Sequence, residues 1–196
     1  MSRLPQIDSA QAPPKQAELF AAVEKKLGRV PNLVRVIGNS TAALRGYLEF
    51  SAALGGGAGL DPQQREVLAI TVAQANGCGY CLAAHCTIAK STGLSAEAIS
   101  GARTGSTQDD VHRALIQFTN AVIERRGRVD DSELAAFRAA GFSDEAVVEV
   151  VAHVSINVFT NYLNNLAETE IDFPAVPELP AAEPAAACST SQCVSA

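Results

Sequence analysis

The sequence predicts an all-α domain, and three observations carry that prediction. Ala and Leu are abundant while aromatic residues are only 5%, a balance that favours helix. Apolar residues recur at three- and four-residue spacing through successive segments, each bounded by a capping residue, a proline or a glycine. No stretch of four or more residues alternates convincingly as a strand would.

The elements follow in order. Residues 1–14 hold three prolines and predict an extended arm. Residues 15–28 place Leu19, Phe20, Val23 and Leu27 at helical period and stop at Gly28. A short helix at 31–38 opens on Pro31. Ser40 or Thr41 caps the next, at 41–54, with Leu44, Tyr47, Leu48, Phe50 and Leu54 expected inward. "GGGAG" at 55–59 predicts a flexible link. Asp61-Pro62 opens a helix that runs to about Ala75 and stops at Asn76-Gly77. Another begins near Cys78 and stops by Gly93. Ser95 caps a short helix expected to end at Gly101. A long amphipathic helix at 108–127 carries Val111, Leu115, Phe118, Val122 and Ile123 on one face. A short capped helix at 130–141 and a long one at 144–167 complete the domain. From residue 174 the chain turns to Pro, Ala and Ser, which predicts a mobile, disordered tail. The organisation is thus an arm (1–14), a helical domain (15–173) and a tail (174–196).

A chain of 196 residues with 47% apolar and 18% charged residues is long enough to bury a core without metal or disulfide staples. The net charge of −6 and the lack of a basic stripe remove the footprint of nucleic-acid binding. No apolar run reaches ~18 residues, so no membrane span is expected. The start, Met-Ser-Arg-Leu-Pro, has no apolar signal core. The expected compartment is the cytoplasm, where a close Cys pair is more often catalytic or metal-binding than structural.

Three of the five cysteines and one of the three histidines fall within "ANGCGYCLAAHC", residues 75–86. On a helix Cys78, Cys81 and His85 share a face, whereas Cys86 is rotated about 100° from His85. A Cys-x-x-Cys pair at a helix start meets unpaired N–H groups and the positive end of the helix dipole, both of which favour thiolate. The pair can also close into a local disulfide without moving the fold. A zinc site is set against this reading, because zinc ligands usually come from two separated loops, and here they would share about two turns. Cys86 is read as a small buried apolar residue.

Glu66 opens the apolar run before the turn. It lies eleven residues before Gly77, and His85 lies eight after it. Along two antiparallel helices these are roughly 16 Å and 12 Å, so the two side chains come to similar height. A carboxylate facing an imidazole orients it and raises its basicity. The alternative is an ion pair of Glu66 with Arg65 or Arg103.

Glu66, Cys78, Cys81 and His85 at this spacing, with "NGCGYCLAAH" around them, resemble the alkylhydroperoxidase D (AhpD-like) family, which belongs with the carboxymuconolactone decarboxylases. "GRVPNLVRVIGNS" (28–40) and "FTNYLNNLAETEIDFP" (159–174) resemble a longer, peroxidase-related subgroup. The resemblance spans about 15–175. It implies an AhpD-like helical bundle that assembles as a homo-oligomer, a trimer or hexamer. It implies thiol-dependent reduction of organic hydroperoxides or H2O2, with neither haem nor metal nor other cofactor. Cys81 would be the peroxidatic thiolate, Cys78 the resolving thiol closing a Cys78–Cys81 disulfide, and His85 and Glu66 the proton relay. An external dithiol would reduce the pair. The best-known members carry a second histidine where this chain has Tyr80, which is expected to donate a hydrogen bond near the thiolate. Two other readings stand beside this one. The chain would be a non-peroxidatic thiol-disulfide oxidoreductase or redox sensor, or a lactone decarboxylase-type lyase, against which the Cys pair argues.

His112 is expected to be solvated. His153, Asn157 and Asn161 recur four apart on the last helix, read as a hydrogen-bonded stripe at a subunit interface, with lining of the active-site pocket as the alternative. Cys188 and Cys193 on the tail are two exposed thiols, or a tethered dithiol that reduces the Cys78–Cys81 disulfide.

Overall fold

Seven consecutive residues, Val67–Ala73, are buried on the helix Pro62–Ala75, and the other helices are arranged around it. A helix apolar on every side has to be enclosed. The computed structural model describes residues 2–177 and Leu179, and among them there are nine α-helices and no strand. They are α1 (Pro14–Leu27), α2 (Asn32–Ile37), α3 (Thr41–Gly55), α4 (Pro62–Ala75), α5 (Gly79–Ser91), α6 (Ala96–Thr104), α7 (Asp110–Glu124), α8 (Asp131–Ala139) and α9 (Asp144–Ala167). The central helix α4 packs against α5, α6, α7 and α9. Asp61 caps it, in a reciprocal box with Gln64.

The core has two parts. One lies among α4, α6, α7, α8 and α9 and includes Phe118, Phe137 and Phe142, whose rings stack at 4.2 and 4.1 Å. The other is built from α1, α2, α3 and the start of α5, and Cys78, Tyr80 and Cys81 belong to it. Leu82 packs on both. The Cys-x-x-Cys turn therefore sits where the two cores meet, while Cys86 faces the first core, 3% exposed.

Four details differ from the sequence expectation. Gly101 does not end α6, which continues to Thr104 and is closed by Gly105 at φ +74°. A Cβ on Gly101 would stand 2.9 Å from Thr107 Cβ, so this glycine serves close packing instead of termination. The 55–59 link is not loose. The Glu149 carboxylate on α9 accepts from Gly59 N and Leu60 N, both at 3.1 Å, and a Cβ on Gly57 would run into that carboxylate. The glycines here admit α9 to the backbone; an orphaned amide in such a place would cost about 1–3 kcal/mol. Phe50 is exposed, not inward; α3 packs on the bundle through Leu44, with Tyr47 and Leu48 partly buried. The arm has one 3-10 turn, Ser9–Gln11, and is tied to the domain through Arg3 N to Ala167 O and Ile7 N to Arg35 O.

By length and composition α9 is apolar enough to cross a membrane. In the fold it packs against α3, α4, α5 and α7, with Glu149, His153, Asn157, Asn161 and Asn164 buried on its inner face. Its outer face leaves Val148, Val151, Phe159, Tyr162 and Leu166 exposed. Arg103 Nη2 donates to Pro177 O at 2.8 Å. Cys188 and Cys193 lie outside the described residues.

Candidate active site

The α4–α5 turn builds the site. Asn76 ends α4, Gly77 takes φ +59°, and Cys78 becomes the N-cap of α5. The Cys78 sulfur accepts from Cys81 N at 3.3 Å, and all three cysteines of α5 and its cap are free thiols. Cys78 is fully buried and Cys81 2% exposed. Of the pair, only Cys81 borders the cavity beside it, a space of about 290 Å³. That is at the small end of small-molecule sites.

The two thiols are driven apart in acidity. Cys81 is held below the ordinary thiol range, first by a hydrogen bond from the Cys78 side chain. Burial opposes this, and His85 with the Asn164 and Asn161 amides reinforces it. Asn164 Nδ2 donates to Cys81 Sγ at 3.2 Å. Cys78 moves upward, because it holds the shared hydrogen and because it is buried. Cys86 is also raised, by burial.

His85 Nδ1 stands 2.9 Å from Glu66 Oε2, so the antiparallel estimate from the sequence holds and the ion pairs with Arg65 or Arg103 do not form. Burial works against a charged His85, but the Glu66 carboxylate overrides it, and with Cys81 and Asn157 lifts His85 above its usual 6.5. Nearby, burial and then the Cys81 charge push the Tyr47 hydroxyl up to about 12.

Tyr80 corrects an expectation. Its hydroxyl donates to Asp172 Oδ1 at 2.7 Å and accepts from Leu33 N at 3.1 Å. Its ring packs edge-on against Phe173. The side chain lines the cavity beside Cys81, as a site neighbour should, but its hydroxyl pins the 169–173 segment to the bundle and makes no hydrogen bond to the thiolate. Tyr80→Phe should therefore lower stability by about 1–3 kcal/mol, or about 2–4 °C in Tm per kcal/mol. The pH midpoint of Cys81 alkylation should stay unchanged. A shifted midpoint would return the hydroxyl to the site.

Two members of the polar stripe of α9 line the cavity, as the pocket reading expects. His153 and Asn157 line the cavity, and Asn161 Oδ1 accepts from Asn76 Nδ2 at 3.0 Å. Asn164 is the site residue that sequence reasoning missed. The signal was present: His153, Asn157 and Asn161 continue to Asn164 along one buried face of α9. His112 is half-buried, with Nδ1 unpartnered among the described residues, so it is not simply solvated. No three His, Cys, Asp or Glu side chains among the described residues are placed to hold a metal ion.

The site is thus a buried thiol pair in a helical bundle, beside a carboxylate–imidazole couple. Residues 41–110 match the carboxymuconolactone decarboxylase family. No curated protein matches it. Among solved structures the chain is similar to an alkylhydroperoxidase AhpD core, an uncharacterized peroxidase-related protein from Ralstonia eutropha JMP134. That likeness has 23% identity and a TM-score of 0.79, covering 87% of this chain and 92% of the other. It is similar also to a putative antioxidant defence protein AhpD from Agrobacterium tumefaciens (19%, 0.63, 69% and 94%). A third is the debrominase Bmp8 in complex with 2,3,4-tribromopyrrole (20%, 0.69, 81% and 86%). At these identities the likeness is one of fold, and the fold is AhpD-like.

Proposed function

We propose that the chain is a thiol-dependent hydroperoxidase using Cys81 and Cys78. The observation that carries this reading is geometric: Cys81, alone of the pair, borders the cavity, with Asn164 Nδ2 on its sulfur and the Glu66–His85 couple lining the same space. The Cys81 thiolate attacks the terminal oxygen of ROOH. The O–O bond breaks, the sulfur loses two electrons, and a sulfenic acid forms. The leaving alkoxide takes the proton of His85, which Glu66 orients, and departs as ROH. Cys78 then attacks the Cys81 sulfur, forming the disulfide, and its proton leaves with hydroxide as water. An external dithiol returns both thiols and is itself oxidised to a disulfide.

The test is peroxide consumption by the full chain with a chemical dithiol. Consumption no faster than that of a free thiol would remove the peroxidase reading, and reduction of small disulfides under the same conditions would then favour thiol-disulfide exchange. The exposed apolar residues of α9, Val148, Val151, Phe159, Tyr162 and Leu166, support a homo-oligomer in which a second copy covers them. Sedimentation should give a multiple of 20.4 kDa, and a monomer at micromolar concentration would overturn it.

A further inference from the structure

Two polar groups border the cavity without a part in the thiol chemistry. Arg65, on the first turn of α4, is half-buried there. Its Nη1 lies 3.4 Å from both Leu54 O and Gly57 O, the long limit of a hydrogen bond. Among the described residues it makes no ion pair. The neighbouring carboxylates are otherwise engaged: Glu66 with His85, and Glu149 with the amides of Gly59 and Leu60. A guanidinium stays charged at any working pH and carries five donors in a fork that matches a carboxylate. Here most of that capacity is unused.

The second group is His153. It is 9% exposed, and its Nε2 has no partner among the described residues. Buried polar atoms are nearly always paired, so an orphan beside a cavity marks a place where something else completes the set. Burial first, and then the Arg65 and His85 charges, press His153 toward its neutral form, against Glu149 and Glu66. A neutral ring can present an N–H without adding charge.

The remaining walls are largely apolar, among them Leu33, Val34, Leu54, Ile88 and Phe173. We propose that this cavity binds a small amphipathic monocarboxylate, its carboxylate on Arg65 and His153 and its apolar body against Leu33, Val34, Leu54 and Phe173. A neutral ligand would leave the half-buried cation uncompensated. A phosphate dianion would meet, among the described residues lining the cavity, a single cation without an ion pair. Resting on the hydroperoxidase reading, the substrate class becomes a hydroperoxide that carries a carboxylate, with the peroxide end at Cys81.

Binding is measured without peroxide, so the two readings fail separately. Calorimetry on the reduced full-length protein compares hexanoate with 1-hexanol. Hexanoate should bind at least about tenfold more tightly, as a charge-assisted hydrogen bond provides. Arg65→Gln should bring the two within about twofold, and Arg65→Lys should keep part of the preference. His153→Gln should weaken hexanoate several-fold and leave hexanol unchanged, which carries the test if Arg65→Gln does not fold. Equal binding of the two ligands, binding of neither at millimolar concentration, or an unchanged preference in the variants overturns the proposal. Hexanoate binding in a protein that consumes no peroxide would leave it standing and remove the hydroperoxidase.

Discussion

On the proposed hydroperoxidase reading, Cys81→Ser should stop peroxide consumption, to about 10³-fold or more below wild type, and Cys78→Ser should stop it one step later. The first loses the only sulfur of the pair that borders the cavity, and a serine hydroxyl is not ionised at neutral pH. The second keeps a hydroxyl where Cys78 donates to Cys81, so the thiolate persists and the first turnover proceeds. The sulfenic acid then has no partner and accumulates, one per chain, to be trapped by a dimedone-type reagent. The pH dependence of Cys81 alkylation separates the contributions. Because the Cys81 pKa is lowered, thiolate survives to lower pH, and in wild type the alkylation midpoint falls below the ~8.5 of a free cysteine. Cys78→Ser keeps it low. Cys78→Ala, which removes the largest cause of the shift, moves it up. An unchanged midpoint in Cys78→Ala would show that the Cys78 hydrogen bond does not set the acidity of Cys81.

Glu66→Gln should lower turnover by about 10²-fold, the scale of losing a positioned acid. With the carboxylate gone, only Cys81 and Asn157 oppose burial at His85, and its pKa falls relative to wild type. Fewer imidazolium groups then remain at neutral pH to protonate the leaving alkoxide. The alkaline fall of the rate, which follows deprotonation of His85, moves to lower pH. An NMR titration of the His85 ring reads the same change directly. Stability follows the same sign. The folded pKa of His85 is raised, so its contribution is full below the unfolded ~6.5 and is lost as pH climbs through the folded value. The stability gap between wild type and Glu66→Gln is therefore wider at pH 6 than at pH 9. A variant with normal turnover and an unmoved His85 titration would remove Glu66 from the relay.

The parts legible in the sequence were local. Asp61-Pro62, Asn76-Gly77, Ser95 and Ser143 mark helix ends through hydrogen bonds made within a few residues, and so the helix order could be read in advance. The face shared by Cys78, Cys81 and His85 is likewise a property of one helix. Glu66 was within reach because two helices joined by a tight turn have few ways to pack. Where glycine had two meanings, the sequence could not choose. Gly101 looks like a stop, and the 55–59 run looks like a flexible link, yet both are places where another segment approaches the backbone closely.

What the sequence by itself determined, then, is the set of helices, the thiol pair at the start of α5 and the Glu66–His85 couple across one turn. Only the tertiary structure decided what surrounds them. It brings Asn164, 83 positions away, to the Cys81 sulfur, and it turns Tyr80 from the thiolate to Asp172, 92 positions away. It also brings to one cavity Arg65, without an ion pair, and His153, whose Nε2 has no hydrogen-bond partner, among the described residues. The physical reason is range. Capping and helical spacing are settled within a turn or two of chain. The environment of a buried sulfur depends instead on which distant amide, cation or ring the packed core delivers to it.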